Sequence, residues 1–273
     1  MSTNQKTTVI NSDRGQVNRT AAEIYETFFL PALFAEWPDR VADAAAIGAG
    51  QRVLDVACGT GVLARTAATR TGAAGSVVGI DVNEGMLAVA QRIAPDIEWR
   101  QGVAEALPYA PHSFDAVVSQ FGLMFFTDKR AALAEMARVL RPSGRLAVAV
   151  WASLEETPGY AAMVGLLQRL FGDEAANGLR APYSLGDVPA LHALCRDAGL
   201  PQAQITTYTG TARFSSIQSW VYTDIKGWTL ADAIDDEQYA RLLQEAETVL
   251  RPFVDAGGAV AFPAPAHIIT AQV

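Results

Sequence analysis

The stretch VLDVACGTGVLA, residues 53–64, places a glycine-rich turn directly behind an apolar run that contains an acid, Asp55. The β-branched residues before the turn predict a buried strand, and the residues from Gly61 to about Thr71 predict a helix. A strand–glycine–helix turn lets backbone N–H groups and a helix amino terminus approach a ligand closely. The stretch therefore predicts the first β–α crossover of a ligand-binding α/β fold.

The alternation of strand and helix that begins here continues as far as Trp151. Asn83 and Thr127 are typical helix caps, and residues 20–47 are helical in pattern, with breaks at Pro31 and Pro38. Because the strands are nearly continuous in apolar character, we expect a parallel sheet covered by helices on both faces. The apolar runs predict strands at 52–57, 76–81, 97–102, 114–121 and 145–151.

The regular alternation of strands and helices stops after Trp151, which indicates helical insertions around a common core. A strand is predicted near 203–210, and the final apolar stretch, 259–271, follows a long helical segment. The predicted segments are a flexible leader (1–19), the amino-terminal helices and ligand-binding core (20–151), a helical cap insertion (152–190), and the remainder of the sheet (191–273) with a second helical insertion at about 213–257.

Composition excludes several classes of function. The 273 residues carry a formal net charge of −8 with scattered lysines and arginines, so we expect no nucleic-acid partner. Two distant cysteines and three scattered histidines predict neither a disulfide framework nor a metal site. No apolar run is long enough to span a membrane, and the polar leader lacks the apolar core of a signal peptide. These features predict an acidic cytoplasmic protein.

The acid in the opening stretch decides between two ligands for the glycine turn. Residues 59–64 fit G-x-G-x-x-A, the dinucleotide fingerprint, and Asp81 stands where a ribose-binding acid is expected. A pyrophosphate, however, would lie close to the Asp55 carboxylate, and like charges at short range in a desolvated crevice repel strongly. A cationic, phosphate-free nucleoside would be favoured there. S-adenosylmethionine has this character, since it bears an ammonium group, a sulfonium and a ribose diol.

Four ordered segments resemble one family. VLDVACGTG, GIDVNEGMLAVA, QGVAEALPYAPHSFDAVVSQFGLMFF and EMARVLRPSGRLAVAVW together resemble the class I S-adenosylmethionine-dependent methyltransferases, in the branch similar to ubiquinone and menaquinone biosynthesis enzymes. The match covers roughly residues 50–151. The resemblance implies a Rossmann-like, seven-stranded, mostly parallel sheet with an antiparallel last strand. It also implies methyl transfer from S-adenosylmethionine to a small molecule.

The resemblance also assigns cofactor-binding roles. They are Asp55 at the methionine amino end, Ala57, Gly59 and Gly61 along the loop, Asp81 on the ribose with Val82 and Met86 beside the adenine, Ala104 and Glu105 at the adenine edge, and Gln120 beside the reacting methyl group. One position departs from the family pattern. Val103 stands where many members have an aspartate that accepts the adenine amino hydrogen, so a backbone carbonyl or Glu105 would have to replace it.

Apolar and aromatic residues are the candidates for the acceptor pocket. They are Phe121 and Met124 after the fourth strand, Tyr25, Phe28 and Phe29 on a possible lid helix, and Trp151 and Tyr183 near the cap. Phe125 and Phe126 are better explained as core. No residue stands out as a general base, and the sequence has no cluster of basic residues that would bind an anionic substrate. We therefore expect a small, largely apolar or aromatic methyl acceptor, while the sequence leaves the methylated atom and the oligomeric state open.

Two alternative functions stay open at this point. An NAD(P)-dependent oxidoreductase is supported by G-x-G-x-x-A and opposed by Asp55. A non-catalytic S-adenosylmethionine-binding regulatory protein is conceivable because of Val103 and the missing base. Binding of NAD(P) would favour the first alternative. Tight cofactor binding without turnover would favour the second.

Overall fold

The computed structural model describes residues 19–226 and 234–273. The strands in these ranges are β1 Arg52–Val56, β2 Ser76–Asp81, β3 Glu98–Gln101, β4 Phe114–Gln120, β5 Leu140–Trp151, β6 Gln204–Tyr208, β7 Thr211–Phe214, β8 Val260–Pro263 and β9 Ala266–Gln272. The α-helices are α1 Arg19–Ile24, α2 Trp37–Ala44, α3 Val62–Thr71, α4 Glu84–Ile93, α5 Lys129–Val139, α6 Pro158–Phe171, α7 Asp173–Arg180, α8 Val188–Asp197, α9 Ile217–Lys226 and α10 Asp236–Val249. The expected leader lies outside the described residues except for Arg19, with which α1 begins.

Seven strands form one sheet in the order β3-β2-β1-β4-β5-β9-β6. The β3-β2, β2-β1, β1-β4 and β4-β5 pairs are parallel, whereas β9 runs antiparallel to both β5 and β6. The expected mostly parallel sheet with an antiparallel last strand is confirmed. The chain moves outward from β1 to β3 and then returns to β4 beside β1. Because crossovers are right-handed, this reversal places the α3–α4 helices and α5 on opposite faces and opens a crevice at the carboxyl ends of β1 and β4.

Local chemistry explains where the core helices begin. Asn83 caps α4 as predicted, since its side chain accepts the Met86 N–H at 3.0 Å. The cap of α5 is Asp128, not the predicted Thr127: the Asp128 carboxylate accepts the Ala131 N–H at 2.8 Å. The Thr127 N–H instead donates to Glu105 at 2.9 Å. The carboxylate is the stronger acceptor and therefore takes the cap position.

The final apolar stretch divides into two strands of different sheets. β8 pairs with β7 in a separate two-stranded antiparallel sheet, whereas β9 enters the main sheet. The break falls at Ala264 and Pro265; proline has no N–H to continue a ladder, and its carbonyl instead accepts the Ala152 N–H at 3.0 Å. β7 also extends into the expected helical insertion 213–257. Residues 227–233 of that insertion lie outside the described residues.

Helices α6, α7, α9 and α10 form a cap beside the strand ends. A π-helix, Tyr25–Phe34, joins this cap to α1, and Pro31 lies inside it without ending it, contrary to the expected break. There the Ala35 N–H donates to the carbonyl of Leu30, five residues earlier, so the wider π spacing takes up the proline. In the described part of the chain, no helix combines the length and the apolar character needed to cross a membrane.

Candidate functional site

A cavity of about 390 Å³ lies at the carboxyl ends of β1, β2 and β4, where the sheet changes direction. We call it the switch-point cavity. Its volume falls in the range of small-molecule sites. Among the predicted residues, those that line it are Tyr25, Ala57, Gly59, Asp81, Val82, Met86, Ala104, Glu105, Gln120 and Phe121.

Three backbone N–H groups of the glycine loop are engaged by the protein. Gly59 N–H donates to Asp81 Oδ2 at 2.8 Å, Gly61 N–H donates to the Cys58 carbonyl at 2.9 Å, and Cys58 N–H donates to the Ile80 carbonyl at 3.1 Å. A pyrophosphate needs such N–H groups free and aimed at it. These three N–H groups are thus not free to bind a pyrophosphate, and the Asp81 carboxylate lines the cavity beside them.

Asp81 is held rigidly at the end of β2. Its Oδ1 accepts the Asn83 N–H at 2.8 Å and its Oδ2 accepts the Gly59 N–H at 2.8 Å, and a carboxylate has about four acceptor sites in all. Burial raises the pKa of this carboxyl, and the backbone N–H groups of Asn83, Gly59 and Val82 oppose the shift. The geometry suits an acceptor for a diol.

Asp55 is almost completely buried beneath the loop, with 1% of its surface exposed. Among the described residues, neither carboxylate oxygen has a hydrogen-bond partner of ordinary geometry. Burial raises the pKa of this carboxyl well above its ordinary value, and the influence of the Ala64 N–H and of Arg65 does not offset it. A buried acid left without a partner marks either a missing cation or a retained proton.

The strand ends on either side of the switch point hold strained backbone. Ala57 after β1 and Phe121 after β4 both have φ of +56°, a left-handed conformation that residues with a side chain rarely adopt. The two turns touch, because a Cβ on Gly122 would lie 2.5 Å from the Ala57 Cβ. Beside them the Oε1 atom of Gln120 is buried without a partner among the described residues. Strain and an unused acceptor oxygen at one place are typical of a ligand site.

A second, smaller cavity adjoins the first, and we call it the aromatic cavity. Phe121 and Phe125 line both cavities. Phe121 stacks on Trp151 with ring centroids 3.9 Å apart. The lining consists of Phe29, Leu33, Phe34, Phe121, Phe125, Trp151, Tyr160, Leu179, Pro182, Tyr183 and Asp224.

A single acid, Asp224 of α9, lies in this aromatic wall. It is completely buried, and its Oδ1 accepts the Tyr160 hydroxyl at 3.0 Å. Its Oδ2 has no hydrogen-bond partner among the described residues. Burial raises the pKa of the carboxyl to about 8, although Tyr160 and the Trp220 indole act to lower it.

Several predicted site residues do not reach either cavity. Asp55 lies behind the loop, and Gly61 serves packing, since a Cβ there would lie 2.3 Å from the Trp99 ring. Phe28 is 40% exposed and meets Tyr222 edge-on at the surface. Met124 is buried in the core. Phe125 and Phe126, expected in the core, pack against it and also line the switch-point cavity.

The residue that sequence reasoning missed is Asp224. The sequence of α9 could have shown that this acid is buried. Its position falls on the apolar face of the helix, which is formed by Ile217, Trp220, Val221 and Ile225. An acid on such a face must be buried. It needs a partner or a function. The sequence analysis singled out no residue as a general base and did not consider this position.

Comparisons with known proteins identify the core. Residues 53–144 match a family model described as a methyltransferase domain, about a third of the chain. Demethylmenaquinone methyltransferase of Renibacterium salmoninarum is 48% identical over 113 residues, which cover 41% of this chain and 46% of that protein. Ubiquinone/menaquinone biosynthesis C-methyltransferase UbiE of Hahella chejuensis is 45% identical over 118 residues, which cover 41% of this chain and 47% of that protein. The chain thus matches about half the length of these curated relatives.

A solved structure extends the likeness to nearly the whole chain. Phosphoethanolamine N-methyltransferase 2 of Haemonchus contortus, in complex with S-adenosyl-L-methionine, superposes with a TM-score of 0.60 at 18% identity. The superposition covers 95% of this chain and 58% of that one. The sheet and its helices therefore have the class I methyltransferase fold.

Proposed function

We propose, from the premise that residues 53–144 belong to a methyltransferase domain family, that this chain transfers a methyl group from S-adenosylmethionine to a small aromatic molecule. The observation that carries the proposal is the engagement of the loop amides by Asp81 and by neighbouring carbonyls. That arrangement makes three loop N–H groups unavailable to the pyrophosphate of a dinucleotide and places an acid where a cationic nucleoside would lie.

The residues of the switch-point cavity fit this cofactor. Asp81 would accept the ribose hydroxyls, and the exposed side chain of Val82 together with Met86 would flank the adenine. The buried Gln120 Oε1 would face the sulfonium end. Asp55 would favour the positive charge from behind the loop. When bound, the cofactor supplies an activated methyl group on a cationic sulfur.

The protein's own task is to orient and to exclude water. The rings of Phe121, Trp151 and Phe34 pack against one another at centroid distances of 3.9–5.8 Å and form one wall of the aromatic cavity, and Phe121 also lines the switch-point cavity. Such a wall tolerates the loss of charge that accompanies methyl transfer and holds a flat acceptor in line. An aromatic molecule is therefore the acceptor class that the lining favours. Quinone-related names among the relatives agree with this class.

The unliganded aromatic cavity has a volume of about 40 Å³. That volume holds about two to three water molecules. An acceptor ring enters only when wall side chains turn aside.

Isothermal titration tests the proposal. The chain is expected to bind S-adenosylhomocysteine and to show no heat with NAD or NADP. Asp81→Asn replaces one acceptor oxygen by an NH₂ group, and we expect the affinity to fall about 10- to 100-fold, the worth of a hydrogen bond to a charged group. Asp96→Asn, at an exposed acid in the loop before β3, is the matched control and should bind normally. Binding of NAD with S-adenosylhomocysteine silent contradicts the proposal.

A turnover assay distinguishes the proposed enzyme from a non-catalytic regulatory protein that binds S-adenosylmethionine. Incubation with S-adenosylmethionine and a panel of phenols, hydroquinones and arylamines is expected to give methylated products by mass spectrometry. Tight cofactor binding with no product across the panel would favour the regulatory protein.

A further inference from the structure

We infer that Asp224 is the proton acceptor for an aromatic acceptor that carries a hydroxyl group, an inference that rests on the proposed function. The acid lies in the wall of the aromatic cavity, which shares Phe121 and Phe125 with the switch-point cavity. A hydroxyl that reaches Asp224 therefore belongs to a molecule whose body lies against the wall common to both cavities. This position meets the first requirement for a general base, which is reach.

The hydrogen bonding of Asp224 leaves one oxygen for a ligand. Oδ1 is occupied by the Tyr160 hydroxyl at 3.0 Å. Oδ2 has no partner of ordinary geometry in the described part of the chain, although the Trp220 indole is near enough to favour the charged carboxylate. A completely buried oxygen without a hydrogen-bond partner among the described residues, in a cavity otherwise lined by aromatic and aliphatic side chains, is a specific acceptor for one donor.

The groups around Asp224 keep its proton affinity high. Tyr160 faces it from α6, Tyr183 from the turn after α7, and Trp220 from its own helix. The lining residues from the π-helix, β5 and α7 carry no titratable group, and within residues 19–226 and 234–273 no cation contributes to the electrostatics of the carboxyl. Burial raises its pKa to about 8, which brings it closer to that of a phenol and makes it a stronger base than an exposed carboxylate.

The step balances as follows. The acceptor O–H bond breaks and its proton goes to Asp224 Oδ2. An electron pair of the resulting phenolate forms the new bond to the methyl carbon. The bond from that carbon to the cationic sulfur breaks, and its pair stays on sulfur as a neutral thioether. Tyr160 stays hydrogen-bonded to Oδ1 throughout and positions the carboxylate.

Binding provides a test that needs no turnover. With S-adenosylhomocysteine present at pH 9, the affinities of 2-naphthol and naphthalene are measured by titration for the full chain, for Asp224→Asn and for the exposed control Asp197→Asn. The wild type and the control should bind 2-naphthol at least about 10-fold more tightly than naphthalene, because the hydroxyl donates to a charged group. Asp224→Asn should lose this preference, since its NH₂ group cannot accept. Its affinity for S-adenosylhomocysteine should be unchanged, which also shows that it folds.

Kinetics supply the second readout. The methylation rate of 2-naphthol should rise with pH through about 8 in the wild type. It should fall about 100-fold or more in Asp224→Asn, the usual contribution of a general base. Tyr160→Phe keeps the carboxylate but removes a hydrogen bond that lowers its pKa, so the pH midpoint should move upward.

The outcomes distinguish the two proposals. Failure of the wild type to bind S-adenosylhomocysteine defeats the proposed function. If the wild type binds S-adenosylhomocysteine normally, three results would overturn the role of Asp224. The first is that the wild type does not prefer 2-naphthol to naphthalene, and the second is that it does not methylate 2-naphthol. The third is that Asp224→Asn keeps the preference of the wild type.

Discussion

Replacing the buried acid Asp224 by asparagine should stabilise the protein in a pH-dependent way. The side chain is completely buried, and its carboxyl has a pKa of about 8 in the folded chain against an ordinary value of 3.8. Between these values the native state keeps a proton that the unfolded state has released. The contribution of Asp224 to the free energy of unfolding is therefore greatest below pH 3.8 and declines as the pH rises toward 8.

The magnitude follows from the width of that window. Each pH unit inside it lowers the free energy of unfolding by about 1.36 kcal/mol, so that at pH 7 the burial of this acid costs about 4 kcal/mol. Asparagine has the same shape and can still accept the Tyr160 hydroxyl, but it does not titrate. Its unpaired NH₂ group costs about 1–3 kcal/mol at every pH. The net gain at pH 7 is thus about 1–3 kcal/mol.

Urea unfolding of the two chains at pH 5, 6, 7 and 8 measures the effect. The free-energy gap in favour of Asp224→Asn should widen by about 3–4 kcal/mol from pH 5 to pH 8, and this slope is independent of the constant cost of the NH₂ group. Asp197→Asn, at an exposed acid of α8, should show no such slope. Parallel stability curves for the wild type and Asp224→Asn would show that the acid titrates normally and would refute the reasoning.

Two further substitutions test the glycine loop. Asp55→Asn removes a buried acid without a hydrogen-bond partner among the described residues, so stability at pH 7 should be unchanged or higher. If the bound ligand's cationic end holds this acid in its charged form, the same variant should bind S-adenosylhomocysteine about 10-fold more weakly in a titration, and unchanged affinity would show that Asp55 exerts no charge effect on the ligand. Gly61→Ala drives a Cβ into the Trp99 ring at 2.3 Å and forces φ of +86° on alanine, so it should lower the free energy of unfolding in urea by about 2–4 kcal/mol. Gly165→Ala, in α6 with open space around its Cβ, should instead be neutral or stabilising, and a similar loss there would remove the packing explanation for Gly61.

The sequence alone determined the core of the fold. β1, the glycine turn and α3 are contiguous, and the alternation up to Trp151 repeats the same local pattern, so short-range periodicity was sufficient. The placing of Asp81 also followed from spacing, because the end of one parallel strand must lie beside the end of its neighbour. Its bonds to Gly59 and Asn83 lie within this same local unit.

Only the tertiary structure shows which residues and strands of the cap come together. Asp224 and Tyr160 are 64 residues apart, and no local pattern relates an acid on α9 to a hydroxyl on α6. The pairing of β7 with β8 is equally non-local, and it split an apolar stretch that by its composition predicted one strand. Hydrophobic periodicity specifies which face of an element is buried, but the partner that covers this face is chosen by packing across the whole chain. Most residues of the switch-point cavity and several rings of the aromatic cavity could therefore be predicted from the sequence, whereas the burial of Asp224 among those rings could not.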